Sequence, residues 1–451
     1  MALNRRQLLS ASLASASWLA GGTAWAAPRA IPGGRDAAQF GLRANTDADQ
    51  SRALARAIDA CARDGAPLFI PPGRYRCAMV KLPSGAQLVG VAGATMLELS
   101  DGPSLLTSAD ARNVRLSGLT LDGGGRSLPA RRGLLHAERV DGLDVGDCEV
   151  TASGGNGLWL DRVSGAIRAT ALRDCAASAL VSFNARGLVV AQNTIHGAGE
   201  NGIEILRDAP GPDATLVVDN RIEAIRAGPG GSGQYGNAVV AYRAADVIVR
   251  GNRIRDCDYS GVRGNSASNI QILGNGIVDA REVAIYSEFS FEAAVIAQNS
   301  IDGAALGISV CNFNEGGRIA AVTGNIVRNL HPRRPDGASD GEGGIGIHVE
   351  ADTAVTGNVV EKAPFAGIMA GWGKYLRDIA ITGNVVREAF IGVGLSAFPG
   401  AGRVLVSDNV IAGTQRGAIV GMDHGKAVTA DLSQPGATVP GNVTLGVNQV
   451  R

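Results

Sequence analysis

Short apolar runs recur along most of this chain, and each run follows an Asn. In residues 381–395, ITGNVVREAFIGVGL, Asn384 precedes two valines, and a second apolar segment is reached nine residues later at Val393. The intervals range from 23 residues (252 to 275) to 33 residues (325 to 358). The Asn recurs in this context at Asn193, Asn220, Asn252, Asn275, Asn299, Asn325, Asn358, Asn384 and Asn409. Repeats of this length with two or three short strands predict turns of a parallel β-helix, stacked about 4.8 Å apart.

The recurring Asn has a structural explanation. An amide that points into an apolar interior can pass hydrogen bonds from one turn to the next and so satisfy its own polar atoms. Upstream, Cys148 and Thr170 stand in the Asn position, and Asn442 is predicted to be a further copy. We therefore interpret these positions as scaffold rather than as catalytic residues.

The segment before the repeats predicts a cap for the solenoid. Residues 47–64 have the apolar spacing of an acid-capped amphipathic helix, residues 67–70 are predicted to form a strand, and Pro71-Pro72-Gly73 marks a turn. A helix at this place would cover the first turn, whose apolar end and unpaired strand edge are otherwise exposed.

The N-terminal residues have the features of an export signal. Arg5 and Arg6 precede an apolar stretch, and Ala24-Trp25-Ala26 matches the A-x-A cleavage pattern. The arginine pair resembles a twin-arginine signal, which implies the Tat translocase as a partner; an ordinary secretory signal is the alternative. We expect residues 1–26 to be removed and the mature protein to be periplasmic or secreted. No later stretch has the ~18 apolar residues of a membrane span, so no membrane is expected for the mature form.

Charge and cysteine content narrow the function classes. Lys and Arg together number 42, and so do Asp and Glu, which argues against a nucleic-acid partner. No cysteine spacing matches a metal or redox motif, so the thiols are interpreted as small buried side chains. Whether Cys61 and Cys77 pair is left open. The six cysteines are Cys61, Cys77, Cys148, Cys175, Cys257 and Cys311.

Three stretches resemble the start of the pectate-lyase superfamily: the helix–strand–PPGRY segment, LPSGAQLVG and GLTLDGGG. Together with the Asn repeats, the resemblance implies an all-β, single-stranded, right-handed parallel β-helix of about 12 coils with an N-terminal α-helical cap. We predict the cap and first coils at 27–110, repeats at 111–423 and a C-terminal coil or cap at 424–451. The resemblance implies a carbohydrate-active or carbohydrate-binding protein, but this fold supports several reactions.

The active-site motifs of related enzymes are absent. The polygalacturonase-like hydrolases carry N-x-D, a double Asp, G-H-G and R-x-K, whereas here Asn45-Thr46-Asp47 lies in the cap and His424 lies in DHG. The D-P-H-E motif of mannuronan epimerases is also missing. A site therefore has to be inferred from the geometry of the repeat.

Strand alternation assigns a stripe of outward positions. The apolar residue nine or ten positions after each Asn points inward, so the next residue and the one two beyond it point outward. In the middle of the solenoid these outward positions are polar or ionisable. They carry Glu204, Tyr242, Arg263, Asn265, Tyr286, Glu288, His348 and Glu350, and Asn312 follows one of the strands.

Two Gly-rich insertions, at 227–236 and 331–343, fall at the same corner of the repeat. They lie four coils apart, or about 19 Å, and predict walls of a groove for roughly four sugar units. We expect Glu204, Tyr242, Asn265, Glu288, Asn312 and Glu350 to bind substrate there.

The sequence is compatible with several functions for this groove. In a lyase on acidic polysaccharide, the first choice, Arg263 would neutralise the substrate carboxylate, and His348 or Tyr286 would be base or acid. Glu288 and Glu350 could instead hold Ca²⁺. They could also be the acid and base of an inverting glycoside hydrolase, being about 10 Å apart at the backbone. A non-catalytic glycan-binding or structural β-helix with a surface charge ladder is the remaining alternative.

Overall fold

The computed structural model describes residues 33–335 and 343–451. The predicted signal residues Arg5, Arg6, Ala24 and Ala26 lie outside the described residues, and so does most of the second insertion, 336–342.

The N-terminal cap contains an α-helix, Ser51–Asp64, and a short 3₁₀ helix, Ala37–Phe40. The α-helix starts four residues later than predicted because Thr46 is bridged to Tyr75 in the first coils and the chain bends at residues 47–48 before the helix begins. Its buried side chains are Leu54, Ala57, Ile58 and Cys61, which pack on the first strands as a lid over the apolar interior. The strand predicted at 67–70 is Leu68–Phe69. A second 3₁₀ helix spans Phe313–Glu315.

The strands are short, and almost all of them pair in parallel with the strand one turn away. The strands of the first half are Arg35–Asp36, Leu68–Phe69, Gly73–Cys77, Val80–Lys81, Gln87–Val89, Thr95–Leu99, Leu106–Ser117, Thr120–Asp122, Gly133–Gly146, Glu149–Thr151, Asn156–Asp161, Gly165–Arg168, Ala171–Cys175, Leu180–Phe183, Val189–Ala191, Thr194–Ala198, Ile203–Pro212, Leu216–Val218 and Arg221–Ile225. Those of the second half are Val239–Ala245, Ile248–Arg250, Arg253–Cys257, Val262–Asn265, Ile270–Leu273, Gly276–Glu288, Glu292–Ala297, Ser300–Val310, Arg318–Thr323, Ile326–Arg328, Ile345–Val349, Ala351–Thr356, Val359–Ala370, Arg377–Thr382, Val385–Ser396, Val404–Ser407, Val410–Ala412, Gly417–Asp423, Lys426–Asp431, Val443–Leu445 and Gln449–Val450.

These strands wrap into a right-handed β-solenoid with three faces. Face A runs from Val80–Lys81 to Gly417–Asp423, face B from Arg35–Asp36 to Val443–Leu445, and face C from Gly73–Cys77 to Gln449–Val450. The described part of the chain forms about 14 turns. The predicted count of about 12 is too low because the early turns, such as the one at Val80–Lys81, lack the Asn that marks the repeat.

The Asn ladder is confirmed and runs inside the corner between faces B and C. In each link, the backbone N–H and the side-chain Nδ2 of one Asn donate to Oδ1 of the Asn one turn later, as from Asn325 to Asn358 at 2.9 Å each. Thr170 heads the ladder by donating its N–H to Asn193. The prediction of Asn442 as the last copy is wrong, because Asn409 donates to Asn448 and the Asn442 side chain instead contacts the Ser396 and Gly402 carbonyls.

The interior is apolar and tightly closed. The inward residues predicted in face A, among them Ile203, Val262, Ile285 and Ile347, are fully buried. The six cysteines are buried as free thiols in the described residues, so Cys61 and Cys77 are not bridged. No helix in the described ranges is long and apolar enough to cross a membrane.

At the C-terminal end, the last strand of face A pairs with an antiparallel strand. Gly417–Asp423 and Lys426–Asp431 form a hairpin whose tip is His424-Gly425. The hairpin extends face A, and its tip bounds the outer surface where the site is found.

Candidate functional site

A cleft of about 1290 Å³ opens on the outer surface of face A. All nine residues predicted from the outward stripe line it, so the structure brings the whole set together. They are Glu204, Tyr242, Arg263, Asn265, Tyr286, Glu288, Asn312, His348 and Glu350.

Strand register explains why these side chains meet. Along one column of face A, Arg263 pairs with Tyr286, Tyr286 with Ser309, and Ser309 with His348, one turn at each step. The neighbouring column takes Tyr242 to Asn265 and Asn265 to Glu288. Because parallel turns stack in register, residues far apart in sequence share a surface a few coils long.

The first insertion forms a wall that is fixed by buried donors. Gly233 presents its carbonyl oxygen to Asn237 at 3.0 Å and to Nη1 of Arg263 at 2.6 Å. Asn201 donates to the carbonyl oxygen of Gln234 at 3.1 Å. From the second insertion, Arg334 reaches the same cleft. The hydrogen bonds accepted by Gly233 and Gln234 hold the 227–236 loop against the cleft.

Arg263 is the centre of an ion-pair network. Its Nε donates to Glu288 at 2.6 Å, its Nη1 lies 3.6 Å from Glu282, and its guanidinium stacks 5.1 Å from the centroid of the Tyr286 ring. Asn265 also donates to Glu288, at 3.0 Å. The stripe therefore contains a ladder of charged side chains, and this ladder is buried. Glu288 is only 2% exposed, whereas the sequence predicted an outward residue open to solvent.

Glu350 has a different environment from Glu288. Its Oε2 accepts a hydrogen bond from the backbone N–H of Phe313 at 2.7 Å. Burial raises the pKa of Glu350 from 4.5 to about 7, although the N–H groups of Phe313 and Asn312 oppose the shift. A carboxyl group that titrates near neutrality can give or take a proton at physiological pH.

His348 and Tyr286 are both held neutral. Burial, together with the charge of Arg334, lowers the pKa of His348 from 6.5 to about 4. Burial, and then the neighbouring Cys311, raise the pKa of Tyr286 well above 10. The Nε2 atom of His348 has no hydrogen-bond partner among the described residues. An unpartnered buried nitrogen of this kind is available to a ligand hydroxyl group.

The buried Glu350 predicts a pH-dependent stability. The folded protein binds the Glu350 proton more tightly than the unfolded chain does, so this contribution to stability is lost as the pH rises from about 4.5 through about 7. Glu350→Gln should therefore leave stability nearly unchanged at pH 4.5 and increase the free energy of unfolding by about 2–3 kcal/mol at pH 8.5. Urea unfolding at both pH values measures the difference; an equal effect at both would contradict the raised pKa.

Several cleft residues escaped the sequence analysis. Glu282, 2% exposed, and Arg334 belong to the network, while Phe365, Trp372 and Tyr375 form an aromatic end. A second polar ladder also leads into the cleft, with Asn201, Asn237 and Ser260 joined by backbone-to-side-chain hydrogen bonds. Its signal was in the sequence: each of these polar residues stands two positions before an inward residue of face A.

The carboxylates do not assemble into a metal site. In the described ranges, no group of three or more His, Cys, Asp or Glu side chains is placed to hold a metal ion. Glu288 faces the guanidinium of Arg263, which competes with any cation for the same oxygen. A Ca²⁺ ion between Glu288 and Glu350 therefore has no further support from the geometry.

Comparison with known proteins assigns the family. Residues 156–316 and 212–386 match the family described as "Right handed beta helix region". The two matches together span just over half of the 451 residues, so the chain belongs to this right-handed β-helix family. No curated protein matches the sequence.

Solved structures show the same fold at low sequence identity. The catalytic unit of a GH87 alpha-1,3-glucanase from Streptomyces thermodiastaticus strain HF3-3 is 15% identical, with a TM-score of 0.51 over 94% of this chain and 70% of that one. PfbA, a surface adhesin of Streptococcus pneumoniae, is 14% identical, with a TM-score of 0.50 over 86% and 91%. The N-terminal fragment of bacteriophage phi29 gene product 12 is 15% identical, with a TM-score of 0.51 over 91% and 73%. An enzyme and an adhesin thus share this architecture, and the fold does not decide the reaction.

Proposed function

We propose that the cleft binds a glycan and hydrolyses a glycosidic bond with inversion of configuration, using Glu350 as the general acid and Glu288 as the general base. The observation that carries the proposal is the pair of carboxyl groups in contrasting environments. Glu288 is ion-paired with Arg263, and Glu350 has a pKa of about 7. Acid–base cleavage of an acetal needs two carboxyl groups in one cleft, one of which holds a proton near neutral pH, and Glu350 meets that condition.

The spacing of the pair supports inversion. Cys311 occupies the position equivalent to Glu288 one turn later. Glu350 occupies the same position after one more turn, because Val349, the residue before it, pairs with Val310. The two acidic residues are therefore two turns apart, or about 10 Å at the backbone. Inverting enzymes need roughly 6.5–9.5 Å between carboxyl groups to admit the attacking water, whereas retaining enzymes need about 5 Å.

In the proposed reaction, the anomeric carbon lies between the two carboxyl groups. Glu350 gives its proton to the leaving-group oxygen as the glycosidic C–O bond breaks, and Glu288 takes a proton from the water that attacks the opposite face. Arg263 and Asn265 hold one oxygen of Glu288 in place, so they act as positioning residues. The neutral His348 and the amide of Asn265 supply hydrogen bonds to sugar hydroxyl groups.

A lyase on acidic polysaccharide is the second candidate. It is favoured by the alignment of Arg263, Tyr286 and His348 on one column of face A. It is weakened because the charge of Arg263 is already opposed by Glu288 and Glu282, which leaves less attraction for a substrate carboxylate. The uncharged glycan of the hydrolase proposal does not require a free cation.

The products distinguish these candidates. We expect incubation with a panel of neutral and uronate oligosaccharides to release new reducing ends without an unsaturated sugar, and NMR of the first product to show the inverted anomer. An ultraviolet-absorbing unsaturated uronate would replace the hydrolase with the lyase. Retention of configuration would contradict the assigned roles, and binding without any product would identify a glycan-binding protein.

We also propose that the protein acts outside the cytoplasm, after export by the twin-arginine route. This rests on the sequence of residues 1–26, with Arg5 and Arg6 followed by Ala24-Trp25-Ala26. A polysaccharide partner in the periplasm or medium fits an enzyme of this kind.

A further inference from the structure

The cleft has one part lined mainly by polar side chains, the polar half, and one part lined mainly by apolar side chains, the apolar half. The half from Glu204 to Glu350 is polar and charged. The apolar lining starts at Leu306, one turn before Ile345, and continues into the next turn with Phe365 and Trp372. Tyr375, Asp423, His424 and Lys426 also line this end of the cleft. Face A thus carries on its outside an apolar cluster that is separate from the solenoid core.

This apolar half is built by the same register as the polar half. Leu306 pairs with Ile345, and Ile345 with Ala366, on a column beside that of His348. In the column of His348, the equivalent position one turn later is occupied by Met369. Leu306, Ile345 and Met369 belong to the cluster of buried residues on this outer surface, and Phe365 and Trp372 pack against them.

The aromatic end is rigid. Trp372 and Tyr375 exchange backbone hydrogen bonds at 3.1 Å in both directions, which closes a tight turn. The hairpin residue His424 contacts the Trp372 ring edge-on, with centroids 5.5 Å apart, and Asp423 accepts a hydrogen bond from the His424 ring at 2.6 Å. Gly373 favours this arrangement, because its φ of 57° suits glycine and a Cβ there would lie 2.5 Å from Nε2 of His424. A preorganised aromatic surface loses little entropy when it binds an apolar group.

Glu350 follows the strand that carries Ile345 and lies one turn before Gly371, so it is placed between Glu288 and the aromatic side chains Phe365 and Trp372. From this placement we infer that the substrate is an amphiphilic glycoside, with its sugar over Glu288 and an apolar aglycone, alkyl or aryl, against Leu306, Ile345 and Trp372. The inference rests on the proposed function, since Glu350 delivers its proton to the oxygen between sugar and aglycone. A sugar unit placed against Leu306, Ile345 and Phe365 would find hydroxyl partners only at the far rim, at Asp423, His424 and Lys426.

The test is calorimetric binding of methyl, butyl and hexyl glycosides of glucose, galactose and glucuronic acid. We expect the Kd to fall about fourfold for each added CH₂ group, because each buries apolar surface, and the heat-capacity change to become more negative. Trp372→Ala and Phe365→Ser should flatten this dependence. Phe390→Ala, which truncates a 38% exposed aromatic residue that does not line the cleft, should leave it unchanged.

The outcomes separate this inference from the proposed reaction. A Kd that does not depend on chain length overturns the inference, even if oligosaccharides are hydrolysed. A chain-length dependence that both cleft variants retain also overturns it, because the alkyl group then binds elsewhere. A dependence that the variants abolish, without any hydrolysis, supports the apolar half and overturns the assignment of Glu350 and Glu288. If Trp372→Ala does not fold, Phe365→Ser alone decides.

Discussion

Replacing Glu350 by Gln should lower kcat for an unactivated glycoside by about 10²–10⁴-fold, which is the usual contribution of general acid catalysis. The loss should nearly disappear for a dinitrophenyl glycoside, whose leaving group departs without a proton. Burial sets the pKa of Glu350 at about 7, so wild-type activity should fall as the pH rises through that value, and the variant should lose this limb of its profile.

The matched control is Glu223→Gln, at an exposed carboxyl group on face C, which should leave both the rate and the pH profile unchanged. Initial rates with the two classes of leaving group provide the measurement. A Glu350→Gln loss of equal size for both leaving groups would show that the residue acts in binding or in folding, not as the acid.

Replacing Asn325 by Ala should lower the free energy of unfolding by about 3–5 kcal/mol. The side chain donates to the Ile296 carbonyl oxygen and to Asn358, and its Oδ1 accepts from the N–H and the amide of Asn299. Removing it leaves several buried polar atoms without partners, and each unsatisfied group costs roughly 1–3 kcal/mol. The expected loss exceeds the contribution of a single hydrogen bond because the Asn325 amide forms hydrogen bonds with both neighbouring turns.

Urea unfolding measures this difference. Gln271→Ala, at an exposed amide on face B, is the control and should change stability by less than about 0.5 kcal/mol. A loss below about 1 kcal/mol in Asn325→Ala would mean that water or relaxation of the neighbouring turns replaces the lost bonds, and the ladder would not be the main polar support of the solenoid.

The two predictions concern groups that the same repeat places on opposite sides of a strand. Asn325 is inside and is satisfied by its own copies, whereas Glu350 is outside and is satisfied by little more than the backbone N–H groups of Phe313 and Asn312. The buried polar groups of the interior are therefore satisfied chiefly by the ladder. The cleft retains under-satisfied groups, such as Nε2 of His348, that a substrate can complete.

Much of this fold can be predicted from the sequence because, in a solenoid, the interval between repeats determines which residues lie one above the other. The Asn spacing identified the turns, and the inward Ile and Val residues fixed which side chains face out, so Arg263, Glu288 and Glu350 were predicted to share one surface. Register has a period of two along a strand, and a single inward residue in each turn is enough to set it.

The tertiary structure alone decided how that surface behaves. Burial of Glu288, the pairing of Arg263 and the raised pKa of Glu350 depend on walls contributed by loops with no repeat, whose path the pattern does not contain. The same reason explains the packing of His424 on Trp372 and the end of the ladder at Asn448. Both depend on where the C-terminal chain folds back, through the hairpin of Gly417–Asp423 and Lys426–Asp431 and through the last strands. Periodicity fixes neighbours one turn apart, while contacts made by irregular segments are set only by packing in three dimensions.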